Sequence, residues 1–177
     1  MNIFHDISEN RITADDFIAC IEIEQGSKNK YELDKETGLI ILDRVLYTAT
    51  HYPMNYGFIP RTYCEDNDPL DVFVLCSQPI EKMSLVRCYP IGVIEMRDRD
   101  AEDQKVIAIP FGDPQYNSYN DISELPKHIF DELKHFLSVY KQLEDKNVEV
   151  QEINGREKAL EAIDRAKKLF FEKFCTK

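Results

Sequence analysis

The chain has 177 residues, with 33 acidic and 22 basic side chains and a formal net charge of −11. That length fits one domain with a substantial core, and a composition 43% apolar and 31% charged is that of a globular rather than a disordered protein. The negative balance opposes generic binding to nucleic acid or an anionic membrane surface, and no window nears the ~18 apolar residues of a membrane span.

No internal repeat, low-complexity tract or linker divides the chain, so residues 1–177 read as a single domain. The first ten residues carry His5, Asp6 and Glu9 and no apolar run, so no secretory signal is expected. Residues 18–24 (IACIEIE) and 30–34 (KYELD) alternate as strands do, and 39–46 (LIILDRVL) follows. Residues 51–60 (HYPMNYGFIP) form an aromatic, turn-rich segment whose Tyr52 and Tyr56 offer phenolic hydroxyls. Further strands are expected at 71–75, 84–96 and 105–111. Such a run of short strands without intervening helices predicts an antiparallel barrel or sandwich.

After Phe111 the pattern becomes helical. Pro126 opens a helix with Ile129, Leu133, Phe136, Leu137, Tyr140 and Leu143 at spacings of three and four. A short strand at 148–153 is expected next. A second helix then spans 156–174, with Leu160, Ile163, Leu169 and Phe170 available for one stripe. The cysteines, Cys20, Cys64, Cys76, Cys88 and Cys175, contain no C-x-x-C pair, so reduced thiols in a cytoplasmic protein are expected rather than zinc or disulfides.

The strongest chemical signal is EDNDPLD, where Glu65, Asp66, Asp68 and Asp71 precede an apolar strand. Pro69 stiffens this turn. Like charges packed so closely call for a cation, and oxygen ligands suit a hard divalent ion. An EF-hand loop begun at Asp66 fails, because its sixth place holds Asp71 rather than Gly and its twelfth holds Ser77 rather than Glu. A second acidic patch, Asp98, Asp100, Glu102 and Asp103, reads as a hairpin turn. Glu22, Lys30, Glu32 and Arg44 sit in successive strand-like segments, where they line one charged side if they share it. Cations that hold oxygens, hydroxyls that orient and metals that neutralise are what phosphoryl chemistry requires.

Together these segments resemble the soluble family I inorganic pyrophosphatases. The resemblance runs from Ile21 to about Lys141 through IEIEQGSKNKYELDKETG, LDRVLYTATHYPMNYGFIP, EDNDPLDVFVL, RCYPIGVIEMRDRDAEDQK and the Tyr140–Lys141 pair, with D-x-D-P-x-D at 66–71 as its signature. It implies a mainly β fold with α elements: a five-stranded OB-like β-barrel with peripheral C-terminal helices. It implies Asp66, Asp71 and Asp103 as ligands of a first metal, with Asp71 bridging to a second. Asp98 and Asp103 match ligands of a metal arriving with substrate, and Glu32 contributes through water. Asp68 matches the group that accepts the proton of the attacking water, and no covalent intermediate forms. Lys30, Arg44, Tyr56, Lys105, Tyr140 and Lys141 match phosphate contacts, while Glu22 and Tyr52 match second-tier cavity residues. The implied substrate is pyrophosphate and the implied cofactor is Mg²⁺, several ions per site, with Mn²⁺ or another divalent ion as an alternative. A cytoplasmic homo-oligomer, a hexamer, completes the expectation.

The sequence departs from the family pattern at Arg99, usually acidic, at Ala101, often glycine, and in having no tryptophan. Two other classes compete with the enzyme reading. An OB-like oligonucleotide binder would carry basic and aromatic binding strands, which the excess of acids opposes. An acidic OB-like module that binds divalent ions without turnover leaves Lys30, Arg44 and Lys141 without a purpose.

Overall fold

A computed structural model describes residues 2–98, 101–144 and 148–175, with the side chains of Asp98 and Ala101 outside that set. A short helix α1 (Ile3–Asp6) leads to β1 (Phe17–Ile23), β2 (Asn29–Leu33), β3 (Ile40–Val45), β4 (Asn55–Ile59) and β5 (Leu70–Val74). Next come β6 (Leu85–Asp98), β7 (Ala101–Pro110), α2 (Lys127–Val139), β8 (Val148–Gly155) and α3 (Arg156–Phe174).

Five strands, ordered β1-β4-β5-β7-β6, close into a ring because β1 also pairs with β6. Strand β8 extends β6 outward, and β2 and β3 form a separate two-stranded hairpin. The protein is thus mainly β with a few helices, in the OB-like arrangement. One pairing departs from the antiparallel expectation: β5 and β7 are parallel. The chain runs from β5 through β6 before β7 arrives, so β7 lies antiparallel to β6 and matches the direction of β5.

Apolar alternation sends β5 side chains to two cores. Phe73 joins Ile94, Ile107 and the α2 residues Phe130, Leu133, Phe136 and Leu137. Val72 and Val74 join Phe17, Ile21, Val106 and the α3 residues Ile163 and Ala166. Each fully buried side chain of this kind contributes roughly 1.5–3 kcal/mol of transfer free energy.

Several elements differ from the sequence reading. Strand β1 alternates in sequence yet is buried along its whole length, since neighbours pair on both sides and cores cover both faces. Strand β4 occupies the segment read as a turn. Gly57 is what permits it: a Cβ there would lie 1.9 Å from the Cys20 carbonyl oxygen on β1. Helix α2 stops at Val139, with Tyr140 as its C-cap, and Leu143 lies exposed in the following 3-10 turn rather than on the stripe. Helix α3 buries Ala159, Ala162, Ile163, Ala166 and Phe170, while Leu160 and Leu169 are only half-buried. Small alanines at helical spacing let the helix lie close to the sheet. Among the described residues, no helix is long and apolar enough to cross a membrane.

Candidate active site

Residues from the ring, the hairpin and the segment after α2 meet at a cavity of about 420 Å³. Its base is set by strand register. Asp71 on β5 lies beside Lys105 on β7, and β4 places Tyr56 two pairs along from Asp71, opposite Phe73. The pleat then directs all three side chains to one face. Tyr56 Oη donates to Asp71 Oδ2 at 2.6 Å, and Lys105 Nζ donates to the same oxygen at 2.6 Å. Lys105 also reaches Asp103 at 3.1 Å and Tyr56 Oη at 3.2 Å. Asp103, placed in a turn by the sequence reading, lies within β7 opposite Met96, and the two-residue alternation of that strand puts it on the same face as Lys105.

Burial dominates the electrostatics here. It pulls the Lys105 ammonium down, but Asp71, Tyr56 and Asp103 outweigh it and hold the group well above the ordinary lysine value. Asp103 is raised, by burial first, with Lys105 opposing and Asp71 adding. Asp66 is raised chiefly by burial, with its acidic neighbours contributing. Tyr56 is raised well above the ordinary phenol value by burial and by Asp71.

The acids at the rim come from the turn before β5. Asp66 Oδ1 accepts from the Asp68 amide at 3.0 Å, and the Cys64 amide donates to the Asp68 carbonyl at 2.8 Å. Asn67 sits at φ 71°, a left-handed conformation Asn tolerates. The root of this turn is fixed from behind: buried Thr62 Oγ1 accepts from the Leu70 amide at 2.8 Å, and Arg61 donates to the Phe4 and His5 carbonyls at 3.0 Å. Sequence reasoning missed Arg61 and Thr62, because their role is to receive contacts from distant segments.

The hairpin supplies the facing wall. Lys30 and Glu32 share a face of β2 and pair with each other, and Lys30 lies 3.4 Å from Asp43. Glu22 from β1 is buried and accepts the Leu33 amide at 2.7 Å. Burial, then the field of Asp71, pushes its carboxyl up to about 8, so it is neutral at pH 7. A carboxyl raised from 4.5 to about 8 keeps its proton in the folded protein and loses it when unfolded, so folding stability falls as pH climbs through that window. Glu22→Gln keeps an oxygen for the Leu33 amide and removes the titration. The variant is therefore expected to gain on the native protein between pH 5 and pH 8 in urea unfolding with EDTA; parallel pH dependences would show that Glu22 is ionised.

The remaining predicted residues take different places. Tyr140 and Lys141 line the cavity from the end of α2, and Tyr140 is also core, stacked on Phe136 at 5.1 Å. Tyr52 lies behind the wall, between Tyr56 and Phe136. Arg44 sits opposite Lys30 in register but does not line the cavity; its guanidinium pairs with Asp43 and, at 2.7 Å, with Glu144. The side chain of Asp98, and Arg99 and Asp100, lie outside the described residues. Lys35 lines the cavity too and was not singled out in the sequence.

Among the described residues, no three His, Cys, Asp or Glu side chains form a ready-made metal cage. The donor set nonetheless fits a hard divalent ion. Asp66, Asp71 and Asp103 line one cavity, supply only oxygens, and two of them are held up by burial and mutual repulsion that a cation relieves. A separate cavity of about 430 Å³ gathers His51, His128 and His135 beside α2 with Asp131 and Glu132, but its lining includes no lysine or arginine.

A family model described as inorganic pyrophosphatase matches residues 19–170. Soluble inorganic pyrophosphatase 2 of Chlamydomonas reinhardtii is 45% identical over 172 residues, 97% of this chain and 89% of that protein. The crystal structure of inorganic pyrophosphatase from Thermus thermophilus superposes with a TM-score of 0.90 at 34% identity, covering 96% of this chain and 99% of that one. The enzyme from Helicobacter pylori gives a TM-score of 0.86 at 42% identity, covering 89% and 94%.

Proposed function

The chain belongs to the inorganic pyrophosphatase family, and from that premise we propose that it hydrolyses inorganic pyrophosphate to two orthophosphates by in-line attack of water, with Asp68 accepting the proton. The single observation that carries this reading is one cavity lined by the acids Asp66, Asp71 and Asp103 together with the cations Lys30, Lys105 and Lys141. A bare polyanion is repelled by the acids, and a bare metal ion gives the lysines nothing to hold. A complex of the two satisfies both.

Mg²⁺, when bound by Asp66, Asp71 and Asp103, with Asp98 and Glu32 assigned to further ions, supplies charge neutralisation and acidifies water. Lys30, Lys141 and Tyr140 orient the phosphates and disperse charge on their equatorial oxygens. Tyr56 and Lys105 sit at the floor, where their contacts with Asp71 fix its carboxylate. Arg44 joins the phosphate contacts by exchanging its carboxylate partners for substrate oxygens. Asp68 stands at the rim with its carboxyl group half-exposed, so the proton it takes can pass to solvent. The product is released directly, without a covalent enzyme intermediate.

The alternative, an acidic module that binds divalent ions without turnover, predicts Mg²⁺ binding with pyrophosphate left intact. Phosphate release with Mg²⁺ is expected to fall to the uncatalysed rate when EDTA is added and to return with excess Mg²⁺ or Mn²⁺. Binding without release would select the alternative. A homo-oligomer, a hexamer by resemblance, is supported by apolar side chains left exposed around the hairpin, among them Leu39, Ile41, Leu42 and Tyr47; sedimentation velocity reads it. The five unpaired cysteines support a reducing, cytoplasmic setting.

A further inference from the structure

We propose that Lys35 is a positioning residue for the hydrolysis: it reaches across the cavity mouth from the β2–β3 turn and holds the Asp68 carboxylate in place. This rests on the reading of Asp68 as proton acceptor. The Lys35 ammonium pairs with Asp68 Oδ1 and donates to the Asn67 carbonyl at 3.1 Å. It therefore grips the acidic turn at both its side chain and its backbone.

Both anchors of this bridge are built to be rigid. On the lysine side, Asp34 accepts from the Glu36 amide at 3.2 Å and from the Thr37 amide at 3.3 Å. The Gly38 amide returns to the Asp34 carbonyl at 2.7 Å, with Gly38 at φ 73°. On the acid side, Asp68 is tied through its backbone to Asp66 and Cys64, and Asn67 adopts its left-handed conformation at the point where Lys35 binds. Backbone bonds thus place the Asp68 α-carbon, but no other described hydrogen bond fixes its carboxylate.

Stability does not explain the contact. Lys35 is 51% exposed and Asp68 is 59% exposed, and ion pairs of that kind add little to folding. Geometry does explain it. The ammonium engages Oδ1 and leaves Oδ2 for the water, and it holds the acceptor toward a cavity where Asp71 and Asp103 are fixed by strands. A proton acceptor displaced by an ångström loses much of its effect.

Steady-state kinetics on magnesium pyrophosphate test the assignment in the full-length protein. Lys35→Met is expected to lower kcat about tenfold, with KM changed by less than about twofold and the thermal midpoint preserved. Lys35→Arg, which keeps a donor for both oxygens, is expected to recover most of the loss. In an Asp68→Asn background, Lys35→Met is expected to cost less than about twofold, because its effect passes through Asp68. A raised KM at unchanged kcat would make Lys35 a substrate contact and overturn the proposal, as would full activity of Lys35→Met or an additive loss in the double variant. Should Lys35→Met fold poorly, Lys35→Gln answers the same question at a half-exposed site. Native protein that releases no phosphate defeats the pyrophosphatase reading itself; native turnover indifferent to Lys35 defeats this inference alone.

Discussion

Replacing Asp68 by Asn is expected to lower pyrophosphate turnover about 10³-fold while the fold and the affinity for Mg²⁺ stay near native. The reasoning begins with what the substitution leaves alone. The Asp68 amide still donates to Asp66 and its carbonyl still accepts from Cys64, because both bonds are made by backbone. The side chain is more than half exposed, so exchanging a carboxylate for an isosteric amide changes stability by no more than about 0.5 kcal/mol. What disappears is the ability to take a proton, a function worth roughly 10²–10⁴ in rate. Because Asp66, Asp71 and Asp103 are untouched, the Mg²⁺ dependence of the residual rate should match that of the native protein. A loss smaller than about tenfold would show that the proton goes elsewhere, and a shifted Mg²⁺ dependence would make Asp68 a metal ligand.

How far the sequence anticipates this site depends on the range of the interaction. The acidic turn is legible because its chemistry is local: Asp66, Pro69 and Asp71 declare a stiff, anionic turn entering a strand. The helix α2 is legible because its apolar period persists over three turns. Strand β4 is not, since the feature that makes it a strand is the absence of a side chain at Gly57, demanded by a β1 carbonyl far away in sequence. In the sequence Glu22 is one of four strand charges that line one side if they share it, and the local pattern does not show its burial. It is buried because β1 has neighbours on both edges and cores on both faces, a fact of ring closure rather than of local pattern.

The cations show the same division. Lys30, Lys105 and Lys141 stand out by resemblance, and the fold brings them to one cavity. Lys35 follows a strand and looks like any hairpin lysine until the turn that carries it is laid across the acidic loop. Arg44 is in the expected strand and register, but its partner Glu144 arrives from beyond α2, and no local signal couples the two.

The second large effect is expected at Lys105, where Lys105→Met should destabilise the metal-free protein by about 3–5 kcal/mol and reduce turnover by orders of magnitude. Lys105 is 5% exposed and sits between two acids that approach the same point, with Asp71 at 2.6 Å and Asp103 at 3.1 Å. Methionine matches the length of the stem but leaves those partly buried carboxylates facing each other without a cation. Lys105 itself is held above its ordinary value, so its ion pairs persist through neutral pH and are lost only in strong alkali. The pH dependence of the variant comes from the acids. Asp103 is already raised with the ammonium present and rises further without it. A carboxyl raised in the folded state binds a proton that the unfolded chain has released, so the deficit grows as pH climbs above the ordinary aspartate value of 3.8 and shrinks on acidification. Mg²⁺ offers the same relief at neutral pH, and the variant should gain more stability from it than the native protein does. Urea unfolding in EDTA at pH 5 and pH 8, and again with Mg²⁺, reads all three effects. Equal stability of variant and native protein in EDTA would mean that the acids do not depend on Lys105. The expected pattern identifies the lysine as the internal cation that lets an acidic centre fold before any metal ion reaches it.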